Sequence, residues 1–166
     1  MTPFSSSFER EGFLVDREIL ATRLSKLREA LRKLQAIAKQ PREKYFSSET
    51  DRALAEHFLR IALESALDAG NHVVASLGFR KPLTLRDIFL ILAENGLLGR
   101  ELASKLARAT GLRNRLIHRY ADIDHSILYD VLQTDLRDLE AFAIEIGKSL
   151  EPVGHGPPEG TTRGQP

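Results

Sequence analysis

The sequence predicts an all-α fold, a bundle of about five helices in a single domain, and three observations predict it. Leucines recur at helical spacing, most plainly Leu20, Leu24, Leu27, Leu31 and Leu34, whose steps of four and three place one apolar stripe on a helix. Start and stop residues bracket such stretches: Ser48, Thr84 and Asp124 as N-caps, Gly78 and Asn95-Gly96 as C-terminal stops. No run alternates apolar and polar residues as a strand would, and no repeat or second domain is visible.

Taken in order, residues 1–15 read as an irregular lead-in with Ser5, Ser6 and Ser7 clustered. Asp16 is the expected N-cap of a first long helix, with Glu18 complementing the dipole in its first turn and Pro41 marking its end. Ser48 and Asp51 resemble a capping box opening a second long helix through Leu54, Phe58, Ile61, Ala62, Ala66, Ala69 and Val73, a stretch poor enough in charge to be buried on more than one side. Pro82 and Thr84, with Asp87, start a short third helix containing Ile88, Phe89, Ile91 and Leu92. A fourth runs from Arg100 to about Arg119 and contains Gly111, which costs roughly 1 kcal/mol relative to Ala in a helix interior. Asp124 caps a last helix whose apolar side runs from Ile127 and Leu128 through Leu136, Leu139, Phe142 and Ile146 to Leu150. The helical domain is therefore expected over 16–150, with 151–166, rich in Gly and Pro, as a disordered tail.

Composition narrows the function classes. Cysteine is absent, which excludes disulfides, zinc ribbons and thiol catalysis. No apolar run reaches the roughly 18 residues needed to span a bilayer and no signal peptide is evident, so a cytoplasmic location without a membrane is expected. The formal net charge is +1, too small to mark a nucleic-acid binder by bulk electrostatics. A local patch exists nonetheless: Arg100, Lys105, Arg108, Arg113, Arg115 and Arg119 stand against Glu101 alone between residues 100 and 120. Such a run also suits a solvated helix face.

The histidines are His57, His72, His118, His125 and His155, and none is spaced with others or with carboxylates like metal ligands. No metal or cofactor is expected. There is no glycine-rich phosphate loop and no nucleophile elbow. What remains is the run Arg113-Asn114-Arg115-Leu116-Ile117-His118-Arg119-Tyr120, in which the pattern R-N-x-x-x-H-x-Y occurs once. On a helix, Asn114 and His118 are i,i+4 neighbours, and Arg113 and Tyr120, two turns apart, are nearly in line. Ile117 between them suggests a partly covered surface. A histidine exchanges protons near neutral pH, so His118 suits deprotonation of a ribose 2′-hydroxyl or protonation of a leaving oxygen. Arg113 offers a fixed fork of donors for a phosphate and its developing charge, and Asn114 can hold His118 or donate to a phosphate oxygen. The same residues near a helix C-terminus can instead cap carbonyls and complement the dipole, and Tyr120 can be a core aromatic.

The run 113–120 resembles the active-site motif of HEPN-superfamily proteins, specifically the HepT-like ribonuclease toxins. The likeness extends in order over Ala66-Leu67-Asp68-Ala69-Gly70-Asn71-His72-Val73-Val74-Ala75, Gly78, Pro82, Leu92-Ala93-Glu94-Asn95-Gly96, Gly111-Leu112 and Tyr120-Ala121-Asp122-Ile123-Asp124, about residues 13–150 in all. The resemblance implies a helical-bundle homodimer acting as a metal-independent endoribonuclease. It implies Arg113 and His118 as the catalytic pair, and an MntA-like nucleotidyltransferase antitoxin as partner, with possible higher hetero-oligomers. It further implies that the partner transfers AMP onto Tyr120, which would block RNA beside the arginine and histidine. Arg115 and Arg119 are expected to contact RNA phosphates. Asp68 is the acidic residue expected near the site, pairing with Arg113 or forming an ion pair at the dimer seam, because a carboxylate in a charge-poor helix needs a partner.

Two other readings fit the residues. A non-catalytic helical dimer could serve as a docking or regulatory subunit for a nucleotidyltransferase, and it would leave cell growth unaffected where a ribonuclease would arrest it. An RNA-binding protein without turnover would show steep salt dependence and leave RNA intact.

Overall fold

The computed structural model describes residues 8–118 and 123–148, with side chains from Arg17 to Ile117 and from Ile123 to Lys148. Among the described residues there are seven helices and no strand: α1 (Phe8–Ala38), α2 (Arg42–Ser47), α3 (Glu49–Ser76), α4 (Leu85–Glu94), α5 (Arg100–His118), α6 (His125–Thr134) and α7 (Leu136–Gly147). None is long and apolar enough to cross a membrane.

The local signals hold where they are local. Ser48 accepts a hydrogen bond from the Asp51 amide (3.1 Å), Thr84 from that of Asp87 (3.3 Å) and Asp124 from that of Ser126 (2.8 Å). Gly78 and Gly96 adopt positive φ (67° and 73°) just past α3 and α4, the left-handed conformation that closes a helix end. The next amides reach back, Phe79 to the Val74 carbonyl (3.0 Å) and Leu97 to that of Leu92 (2.9 Å).

Three boundaries differ from expectation. The first helix starts at Phe8, not at Asp16, so the irregular lead-in over 1–15 is in part helical. Residues 8–15 hold no proline and place Glu9 and Glu11 early, so nothing stops the helix from running back past the Asp16 signal. Pro41 does end α1, yet it also serves as N-cap of the one-and-a-half-turn α2. The last helix divides at Asp135, where the Thr134 hydroxyl bonds the Asp130 carbonyl (2.9 Å) and the Asp135 carboxylate (2.8 Å). The extra pieces raise five helices to seven. The expected tail, 151–166, lies outside the described residues.

The long helices α1 and α3 pack along each other, α4 lies on α5 and α3, and α7 closes against α1. The expected stripe of α1 is the core: Leu24, Leu27 and Leu34 are fully buried, together with Leu59, Ile91, Leu92, Leu106, Phe142 and Ile146. Phe89 and Phe142 meet edge to face with centroids 5.6 Å apart, the preferred geometry of an aromatic pair. Gly70 lets α4 approach α3: a Cβ there would lie 2.8 Å from Ile88 Cγ2.

A polar cluster pins the start of α6. The buried Tyr45 hydroxyl of α2 shares a 3.1 Å hydrogen bond with His125 Nδ1, and His125 Nε2 lies 2.9 Å from Glu56 of α3. Burial, and then the nearby Glu56 charge, push the Tyr45 phenol up to about 12. Arg42 stacks over Phe46 and Tyr129 with its guanidinium carbon 4.9 and 5.2 Å from the ring centroids.

Candidate active site

The motif stretch begins near the end of α5, whose inner face carries Ala103, Leu106, Ala107 and Leu116 into the core. This packing fixes which way the remaining positions turn. Arg113 turns toward α3 and keeps about a quarter of its side chain exposed; its Nη2 lies 3.7 Å from Glu64 Oε1. Glu64 also receives Arg60, one turn earlier, at 3.3 and 3.5 Å. Asn114 is exposed, and its Oδ1 accepts from Arg113 Nη1 at 3.3 Å. Arg113 Nε is buried and finds no acceptor among the described residues. An unsatisfied buried donor is costly, and here it belongs to a guanidinium held only loosely by its carboxylate. The exposed quarter of the side chain leaves the guanidinium only partly committed to Glu64.

The carboxylate beside Arg113 is therefore Glu64 and not the expected Asp68. Asp68 lies one turn further along α3 and is exposed; its backbone carbonyl accepts from Arg23 Nη1 at 2.7 Å. The two differ by four positions, so a small error in the crossing point of α3 and α5 exchanges them. The signal that could have singled out Glu64 is Arg60, its i−4 neighbour, which makes Glu64 the centre of a cationic pair rather than an isolated charge. Along the same helix, eight residues before Glu64, Glu56 holds His125. One stretch of α3 thus engages Arg113, the first residue of the motif stretch, and His125, five positions past its last.

Ile117 is half-buried, as expected from a partly covered surface, and Arg115 is exposed. His118 is the last residue of α5, five positions after Arg113, and its side chain lies outside the described ones. Arg119 and Tyr120 also fall outside the described residues. The structure thus brings together Arg113, Asn114 and Glu64 and turns Arg115 outward. Among the described residues no group of three or more His, Asp or Glu side chains is arranged to hold a metal ion.

A family model described as ribonuclease HepT-like matches residues 27–146 of this chain. The tRNA nuclease HepT of Aphanizomenon flos-aquae is 28% identical over 136 residues, which are 82% of this chain and 92% of that protein. The mRNA nuclease HepT of Shewanella oneidensis is 33% identical over 84 residues, 51% of this chain and 63% of that protein. In three dimensions the chain superposes on the tri-AMPylated HEPN toxin of Shewanella oneidensis, solved in complex with its MNT antitoxin. The TM-score is 0.72 at 25% identity, and the match covers 78% of this chain and 97% of that one. The motif at 113–120, the all-helical fold of the described residues and these likenesses agree: the chain belongs to the ribonuclease HepT-like family, and its enzyme class is endoribonuclease.

Proposed function

We propose that this protein is the toxin of a toxin–antitoxin pair, an endoribonuclease that cuts RNA without a metal by attack of a ribose 2′-hydroxyl on the adjacent phosphodiester. The observation that carries the reading is the state of Arg113, whose guanidinium is partly exposed, loosely paired with Glu64 and left with a buried unpartnered Nε. His118 takes the 2′-hydroxyl proton or protonates the leaving 5′-oxygen, and Arg113 neutralises the charge that builds on the phosphate. Asn114 orients the guanidinium. Asp68 supports from the adjoining turn of α3. Arg115 and Arg119 hold flanking phosphates. The products are a 2′,3′-cyclic phosphate and a 5′-hydroxyl, and DNA, lacking the nucleophile, is spared. The active form is a homodimer. Its partner is an MntA-like nucleotidyltransferase that moves AMP from ATP to the Tyr120 hydroxyl, releasing pyrophosphate. The solved relative supports this pairing, being itself a tri-AMPylated toxin bound to an antitoxin.

The test is cleavage of RNA by purified protein in EDTA, with His118→Ala and Arg113→Ala as controls. Loss of cleavage in both variants, and cyclic phosphate ends from the parent, are expected. Undiminished cleavage in both variants would overturn the assignment of the pair. A Tyr120→Phe variant is expected to cut RNA and to resist labelling by ATP and the nucleotidyltransferase.

A further inference from the structure

On the outer side of α5 lies a groove of about 660 Å³, walled by α5, α6 and α7 and floored by α3. Its floor is aliphatic, with Leu63 of α3, Leu112 of α5 and Val131 of α6, and no aromatic ring lines it. Its lining carries Lys105, Arg108 and Arg115 from α5 and Arg137 from α7, against only Asp135 and Asp138. Lys105 is engaged, 3.3 Å from Glu101 and 3.9 Å from Asp138. The Thr134 hydroxyl bonds Asp135. Arg108, Arg115 and Arg137 are exposed and form no ion pair with any described residue. Three uncommitted guanidinium groups around an apolar trough call for an anion that also presents apolar faces.

Continuity with the active site narrows the occupant. Arg108 and Arg115 are two helical turns apart, about 10 Å along α5. The series 105, 108, 112, 115 runs along α5 toward its last residue, His118. Leu63, on the floor, directly precedes Glu64, the partner of Arg113. The groove and the Arg113 site therefore flank one helix end.

We infer that this groove is an extended binding track for the single-stranded RNA that flanks the scissile phosphate, with Arg108 and Arg137 clamping its backbone from opposite walls. The inference rests on the ribonuclease reading of the α5 end. Guanidinium groups bind phosphate in a bidentate manner without regard to base. Aliphatic side chains meet bases through their faces and edges without the stacking that aromatics supply. The track therefore lengthens the footprint and raises affinity but discriminates weakly between bases.

The experiment compares the parent with an Arg108→Ala/Arg137→Ala double variant and an Arg108→Lys/Arg137→Lys variant. A fluorescent single-stranded RNA is titrated over a range of salt, and cleavage of that RNA and of a dinucleotide is measured alongside. Each lost phosphate contact on a single strand lowers the salt slope by about 0.7, so the alanine variant is expected to lose about 1.4 from the slope. Its KM for the long RNA should rise about tenfold with kcat unchanged, dinucleotide cleavage should be unaffected, and the lysine variant should recover most of the slope. If the parent cuts RNA and the alanine variant keeps the full slope and KM, the track is refuted while the ribonuclease reading stands. If the parent cuts nothing but the slope still falls, the track stands and the ribonuclease reading fails. An unchanged slope with weakened capture of the nucleotidyltransferase, or with a change in sedimenting mass, assigns the groove to a protein partner or a second copy and overturns the inference.

Discussion

Two arginines meet carboxylates in this protein in opposite ways. At the α3–α4 corner, Arg80 donates from Nε and Nη2 to the two Glu94 oxygens at 3.0 and 2.8 Å, and its Nη1 lies 3.6 Å from Asp87. Asp87 is anchored in turn by the Leu83 amide at 2.9 Å. The hydrogen bonds to Glu94 push the Arg80 guanidinium up. The Leu83 amide first, and then Arg80, hold Asp87 below the usual carboxylate range, and the hydrogen bond from Arg80 does the same for Glu94. At the end of α5, Arg113 meets Glu64 only at 3.7 Å and keeps a buried Nε without a described acceptor. A guanidinium whose fork is filled by its own protein stiffens a corner. One left half-open keeps donors that its own protein does not use.

The sharpest way to break this comparison is to remove each arginine in turn. Arg113→Ala is expected to lower RNA cleavage by about 10²- to 10³-fold, the effect of losing one donor to a developing anion, with little change in melting temperature. Arg80→Ala should leave kcat and KM unchanged. Equal activity losses in both would mean that filled and unfilled forks do not separate scaffold from site. Glu64→Gln sharpens the same point: it keeps the shape but removes the charge that aims Arg113. About a tenfold fall in kcat is expected, equivalent to about 1.4 kcal/mol of lost positioning, and an unchanged kcat would show that Arg113 aims itself.

On the scaffold side, Gly70→Ala should destabilise by about 1–3 kcal/mol by overpacking against Ile88, read from denaturant unfolding. Gly111→Ala should not destabilise, because a Cβ there meets nothing within 4 Å; the helix interior then gains up to about 1 kcal/mol. Titration gives the smallest effects. Tyr45, raised to about 12, favours the neutral phenol in the folded chain, so its stabilising share is complete below about pH 10 and is lost as pH rises toward 12. Absorbance of phenolate should show one tyrosine ionising last, and Tyr45→Phe should remove that step. Asp87 and Glu94 have lowered values, so their contribution is present above about pH 4 and fades as pH falls further. Amide protection factors at the α3–α4 corner, corrected for the intrinsic rate, should fall in acid.

How much of this was legible follows from where the information resides. The caps at Ser48, Thr84 and Asp124 and the stops at Gly78 and Gly96 were readable because each is settled by a few adjacent residues. The motif Arg113 to Tyr120 was readable as a pattern, and its helical run through His118 is observed. Helix α2 was hidden because six residues carry no periodicity, and its reason to exist is the burial of Tyr45 against distant Tyr129 and His125. Glu64 was hidden behind Asp68 because α3 offers carboxylates on successive turns, and only the crossing of α3 with α5 decides between them. Arg137 gave no sign in the sequence, since it reaches the groove from a helix more than twenty positions beyond Arg115.

The polar contacts along α3 carry one more consequence. Glu64 meets Arg113 loosely and Glu56 meets His125 closely, two contact points about 12 Å apart on one rigid rod. The two contacts tie the end of α5 and the start of α6 to α3. Because one rigid helix carries both carboxylates, the spacing of the two contacts is set when the bundle folds. Loosening either contact, at Glu56 or at Glu64, should therefore leave both the α5 end and the α6 start less firmly tied to α3, read as faster amide exchange at the two ends together.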